Sequence, residues 1–103
     1  MTFLIIAHDG TDEAALERRM AARPAHFERA EAEAAAGRLI VGGAILDEAG
    51  KMIGSSLLLE VPDEAAARAW IAADPYSKGD VWRQIEIRPF RIAPLPYHDL
   101  PHR

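Results

Sequence analysis

His26 and Asp74 are the side chains of this 103-residue chain best suited to moving a proton. Imidazole changes charge near neutral pH. A carboxylate beside it can fix one ring tautomer and stabilise the imidazolium. Such a pair serves proton abstraction, isomerisation or elimination without metal, flavin or nucleophile. Spacing alone does not show that the two meet. Read singly, His26 is a surface histidine and Asp74 shapes an Asp-Pro turn. Pro24, just before His26, suits the first turn of a helix. A helix start there would surround His26 with unpaired N–H groups and disfavour its protonation.

Other chemistry-bearing residues carry weaker signals. Gly42-Gly43 lacks the Gly-x-Gly-x-x-Gly context of a nucleotide fingerprint and reads as a bulge or a close approach. Ser55-Ser56 lacks a nucleophile elbow. His98 and His102 stand without carboxylate or cysteine support, so no metal site is expected. His8 ends a strand and faces either a cleft or solvent. Arg23 and Arg88 are available to hold an anionic substrate. No cofactor is expected.

Composition narrows the classes further. Acidic residues outnumber basic ones, 16 to 12, so the basic footprint of a nucleic-acid binder is missing. There is no cysteine, which removes disulfides and thiolate chemistry. The apolar run at the N-terminus is too short for a signal or a membrane span. A cytoplasmic protein that contacts neither nucleic acid nor membrane is expected. At this length one domain forms, with a site that is a surface cleft or is shared between subunits.

The elements that must position these residues follow from pattern. Residues 3–7 form an apolar strand, buried on both faces. Asp12 is placed to cap a helix over 13–20, with Leu16 and Met20 inward. Pro24 kinks or restarts that helix, and 25–36 continue it with Phe27, Ala30 and Ala34 on one face and Glu28, Arg29 and Glu31 outside. Gly37 stops it. Strands over 38–46 and 51–61 flank a turn at 47–50 and form a hairpin. Asp63 caps a second helix that ends at Asp74-Pro75. A fourth strand covers 81–92, with Ile85 and Ile87 under the helices and Trp82, Gln84, Glu86, Arg88 and Phe90 on the open face. Residues 1–92 make the domain, and 93–103 an extended C-terminal tail anchored by Leu95, Tyr97 and Leu100.

This order predicts an α+β, ferredoxin-like βαββαβ fold: a four-stranded antiparallel sheet with helices on one face. Two aromatics among polar groups on the open face suit a semi-polar chamber between two sheets, so a homodimer is expected.

Short segments also carry a resemblance. Arg23-Pro24-Ala25-His26 is similar to the Arg-Pro-x-His segment of the YCII-related family. Gly37-Arg38-Leu39 with Gly42 resembles the opening of its second strand, and Gly54-Ser55 that of its third. Asp74-Pro75-Tyr76 matches its Asp-Pro-Tyr segment, while Val81 and Arg88-Pro89-Phe90 resemble its closing strand. The resemblance implies a dimeric α+β barrel, related in shape to muconolactone isomerases and small barrel monooxygenases. It also implies a His–Asp active site, here His26 and Asp74. A dehydrochlorinase acting on a chlorinated hydroxyquinol is a family-like enzyme. The short turn at 47–50 departs from relatives with a longer insertion, and the tail lies beyond the family pattern. Arg23, Gly42, Ser55, Tyr76 and Arg88 are the expected substrate-binding set. Two readings stand: an isomerase, lyase or dehydrochlorinase acting on an aromatic or lactone metabolite, or a non-catalytic dimeric module binding an unknown small molecule or a protein.

Overall fold

The computed structural model describes residues 1–97; the expectations for His98, Leu100 and His102 lie outside the described residues. Strand β1 (Thr2–Asp9) leads into helix α1 (Ala15–Ala35), which is followed by β2 (Leu39–Leu46) and β3 (Met52–Glu60). Helix α2 (Glu64–Ala72), a one-turn helix α3 (Pro75–Lys78) and strand β4 (Trp82–Phe90) complete the order. The four strands form one antiparallel sheet in the order β2-β3-β1-β4. This is the expected ferredoxin-like βαββαβ topology, with the helices on one face. No helix among the described residues is long and apolar enough to cross a membrane.

Alternation along β1 separates the two faces. Phe3, Ile5 and Ala7 are buried beneath the helices with Leu57 and Leu59, while Leu4 and Ile6 on the other face are only half-buried. The strand was expected to be buried on both faces; within one chain only one is covered. Trp70, Ile71, Tyr76 and Val81 close the core from the helical layer and its loops.

Several local signals act as expected. Asp63 accepts the Ala66 N–H at 2.8 Å and caps α2. Gly37, at φ 82°, ends α1 in the left-handed region that glycine tolerates. Asp47 accepts from the Ala49 and Lys51 N–H groups and shapes the hairpin turn.

Helix α1 departs from expectation in three ways. It runs unbroken through Pro24, so His26 sits mid-helix and no free N–H groups surround it. Proline costs the helix one hydrogen bond there, a loss the rest of this 21-residue helix outweighs. Asp12 does not cap it: Ala14 is the first flanking residue and no side chain caps it, while both Asp12 oxygens bind the Arg18 guanidinium at 2.7 Å. The inner face is Ala15, Arg19, Ala22 and His26, not Leu16 and Met20; Met20 is exposed.

Strand β4 carries the remaining correction. Asp9 pairs with Trp82 but His8 pairs with Gln84, so one extra residue, Arg83, is accommodated between them. This bulge returns Trp82 to the helix side, where it is buried, instead of the open face. Ile85 and Ile87 lie opposite Ala7 and Ile5 on the helix face, but only Ile87 packs against the core as expected; Ile85 is exposed.

Candidate active site

Helix α1 brings His26 over the sheet, and the chain between α2 and α3 brings Asp74 beneath it. His26 Nδ1 lies 2.7 Å from Asp74 Oδ1, and both side chains are buried. Asp74 is held by its place in the chain. It is the N-cap of α3, accepts the Tyr76 N–H at 2.9 Å, and precedes a proline in the first helical turn. Its second oxygen accepts from Arg29 Nη1 at 3.0 Å. Arg29, expected to point outside, lies with its guanidinium 4.1 Å over the Trp70 ring.

A carboxylate at Nδ1 makes that nitrogen the donor, so in the neutral ring Nε2 carries the lone pair. Among the described residues Nε2 has no hydrogen-bond partner. The ring itself is locked. Tyr76 stacks on it at 3.8 Å with an interplanar angle of 10°, and Trp82 meets it edge-on at 5.9 Å. A base held in one tautomer and one orientation, with its free nitrogen away from the anchoring carboxylate, is what general base chemistry needs.

Beside His26 is a pocket of about 260 Å³ between α1 and the β2–β3 half of the sheet. Phe27, Leu39, Met52 and Leu57 make it largely apolar, and Arg19, Arg23, Ser55 and Tyr76 bring polar atoms. Gly42 lies close against one wall: a Cβ there would come within 2.6 Å of a Leu57 methyl. The close approach expected at this glycine is therefore real.

A second buried pair backs the pocket. Arg19 Nη1 donates to both Asp9 oxygens at 3.1 and 3.0 Å, and Nη2 donates to Ser55 Oγ at 3.0 Å. Trp82 Nε1 also donates to Ser55 Oγ, at 3.1 Å. The Arg19 guanidinium lies 4.7 Å over the Tyr76 ring, so Arg19, Tyr76 and His26 form one stack. Burial pushes the Tyr76 phenol above its ordinary pKa, which keeps it neutral.

The structure thus brings together His26, Asp74, Arg23, Gly42, Ser55 and Tyr76. Arg23 is exposed and lies 4.3 Å over the Phe27 ring at the pocket edge. Arg88 is not brought to the pocket: it pairs with Leu4, on the opposite face of the sheet, where it is exposed beside Glu86. His8 is likewise exposed on that outer face, across from Gly54 and Gln84. Sequence reasoning missed Asp9, Arg19 and Arg29. A signal for Arg19 existed: it interrupts a stripe at 15, 19, 22, 26 and 30 that is otherwise alanine and His26. A charged residue on an alanine-lined inner face needs a buried partner.

Comparison with known proteins places this geometry in context. A model of the YCII-related domain matches residues 1–91. Protein YciI of Escherichia coli O6:H1 and that of Shigella flexneri are each 34% identical over 97 residues, covering 88% of this chain and 97% of theirs. An uncharacterised protein of Haemophilus influenzae is 34% identical over 98 residues with the same coverage. Among solved structures, the 5-chloro-2-hydroxyhydroquinone dehydrochlorinase of Burkholderia phenoliruptrix AC1100, in complex with 2,5-dihydroxybenzoquinone, is similar with a TM-score of 0.77. It is 23% identical, over 90% of this chain and 96% of that one, and shares the fold.

Proposed function

The chain belongs to the YCII-related domain family, and from that premise we propose that it is an enzyme performing general acid–base chemistry on a small organic molecule. His26 is the base, Asp74 orients it, and the substrate sits in the pocket against Nε2. The observation that carries this reading is the buried 2.7 Å contact between His26 Nδ1 and Asp74, which leaves Nε2 as the ring's free nitrogen. Nε2 takes a proton from a C–H or O–H of the substrate. The released electron pair forms a new double bond. Either a leaving group departs with its bonding pair, or the imidazolium returns the proton at another atom. The first outcome is an elimination and the second an isomerisation. Asp74 stabilises the imidazolium in both.

The pocket walls favour a planar, largely apolar molecule, and Arg23 at the edge favours one that is anionic. The structural neighbour is in complex with 2,5-dihydroxybenzoquinone, a small planar quinone, so chlorinated dihydroxyphenols and related quinones are the first compounds to test. Release of chloride from 5-chloro-2-hydroxyhydroquinone is the assay. A positioned base contributes roughly a hundred- to ten-thousandfold, so His26→Gln should lower turnover by that factor. Turnover unchanged in His26→Gln refutes the reading.

We further propose that two copies pair through the outer sheet face. Leu4, Ile6, Val41, Ile45 and Leu58 are half-buried there, rimmed by Glu86, Arg88 and Phe90. A half-buried apolar stripe of this kind on a sheet is satisfied by a second copy of the same face.

A further inference from the structure

The sheet has two edges, and they are built differently. Strand β4 carries Arg83, Glu86, Arg88 and Pro89, the charges and proline that keep a sheet edge from pairing with another chain. Strand β2 is the other edge and has neither charge nor proline over its eight residues. Ile40 and Leu46 are exposed on it. Its backbone N–H and C=O groups on the side away from β3 meet no strand among the described residues. A long apolar edge of this kind is a template for one more strand. Gly42 and Gly43 leave it bare in the middle. Nothing lies within 4 Å of the place a Gly43 Cβ would take, and a recess of about 280 Å³ runs past Val41, Gly43, Ser56 and Leu58. The same stretch, Gly42 to Ala44, walls the His26 pocket.

The segment after β4 is suited to pairing on one side only. An extended strand turns the backbone N–H and C=O groups of successive residues to alternate edges. Ala93, Leu95 and Tyr97 present theirs to one edge, and Pro94 and Pro96, which lack an N–H, stand at the alternate positions. The Leu95 N–H donates to the Ala93 carbonyl at 2.8 Å and the Tyr97 N–H to the Leu95 carbonyl at 2.9 Å, so the odd-numbered set already faces one way. Such three-residue turns are common where strands begin or end. Residues 91–97 are all exposed, Leu95 at 61% and Tyr97 at 62%. They cannot pair with their own β2. From β4 to a strand added beyond β2 is four strand spacings, about 19 Å. Phe90 to Ala93 spans at most about 11 Å.

We propose that residues 93–97 of a second copy add to β2 as a fifth strand, so that each copy's tail closes the β2 side of the other's His26 pocket. Leu95 and Tyr97 of the second copy fill the space that Gly42 and Gly43 leave. Pro94 and Pro96 block any further strand beyond them, so the assembly stops at two. The exchange is reciprocal in a two-fold pair. This deepens the outer-face pairing proposed above and rests on it: the pocket beside His26 is complete only in the dimer.

Mixed dimers of isotope-labelled and unlabelled full chains, with nuclear Overhauser contacts filtered for pairs between copies, read this docking directly. Contacts should join the Tyr97 ring of one copy to the Gly42 and Gly43 α-protons of the other. The Leu95 and Tyr97 amides should exchange with solvent roughly tenfold or more slowly than in an unpaired chain. Leu95→Pro removes a ladder N–H. It should abolish the contacts and the protection without unfolding the domain, because residue 95 is exposed within one chain. Leu95→Val, which keeps the N–H, should preserve both. The proposal is overturned if a dimer forms whose tail amides exchange as fast as an unpaired chain, if the tail contacts fall anywhere other than β2 of the second copy, or if Leu95→Pro retains them. Each of those results leaves the outer-face pairing standing. Tail contacts to β2 that survive Leu58→Glu keep the strand exchange and remove the outer-face pairing instead. A monomeric chain with an unprotected tail removes both.

Discussion

Replacing Asp74 shows how much of the domain depends on one buried carboxylate. Its oxygens accept from His26 Nδ1, Arg29 Nη1 and the Tyr76 backbone N–H, and it is fully buried. Asp74→Ala removes all three acceptances. The lost cap of α3 costs about 1 kcal/mol. Leaving the His26 N–H and the Arg29 guanidinium without an acceptor costs about 1–3 kcal/mol each. These losses share one side chain and overlap, so the total should be about 3–5 kcal/mol. For a domain whose whole stability is on the order of 5–15 kcal/mol, that leaves a marginal fold. Asp74→Asn separates the roles. Asparagine caps as well as aspartate, and its oxygen still accepts from Tyr76 and His26. Its NH₂ meets the Arg29 guanidinium donor against donor, which should cost about 1–2 kcal/mol. The expected fall in Tm is about 4–16 °C for Asn and clearly larger for Ala. Urea unfolding followed by tryptophan fluorescence measures both. Equal losses in the two variants would refute this division of roles. Losses within about 0.5 kcal/mol of the parent in both would show the carboxylate to be idle.

Further outcomes follow from the same structure. Arg19→Met should cost about 3–5 kcal/mol because it strands Asp9 in the core, and Arg19→Met with Asp9→Leu should regain most of it; chemical denaturation measures both. The Arg38 guanidinium, and secondarily the Trp70 indole, lower the Glu33 pKa from 4.5 to about 2. A depressed carboxylate stabilises the fold above its unfolded pKa and loses that contribution as pH falls from 4.5 towards 2. Urea midpoints should therefore fall more steeply over that window in the parent than in Glu33→Gln, and parallel curves would exclude the linkage. Light scattering should report a dimer at micromolar concentration, burying more than ~1,000 Å² in total. Leu58→Glu, in the middle of the outer face, should convert it to a monomer, and a monomeric parent would remove the pairing proposal.

Much of this architecture was legible because apolar alternation, turn glycines and the Asp63 cap all point the same way. The misreadings of Leu16, Met20 and Trp82 share a cause: each depends on a phase that only tertiary contacts set. Spacing points Leu16 and Met20 inward, but α1 instead faces the core with Arg19, paired there with Asp9. Pro24 signals a kink or a restart, yet the helix runs through it. Strict alternation places Trp82 on the outer face, and the single-residue bulge at Arg83 reverses it. Helix α3 was missed although Asp74-Pro75 has the cap-then-proline pattern of a helix start. That the Asp74 carboxylate meets His26 across the fold could be expected only from the family resemblance. The Arg19–Ser55–Trp82 network could not, because nothing in the spacing of these residues links three separate elements.

The central claim is that Asp74 holds the His26 proton on Nδ1 and leaves the Nε2 lone pair free. Long-range ¹H–¹⁵N correlation spectra of the imidazole rings, recorded on the full chain at pH 8, read this directly, since ordinary histidines are neutral there. The account predicts a single neutral tautomer for His26 with hydrogen on Nδ1 and an unprotonated Nε2, and it predicts that Asp74→Ala mixes the two tautomers. A His26 ring protonated on Nε2 alone in the parent would contradict the account, because no base would then be available to a substrate.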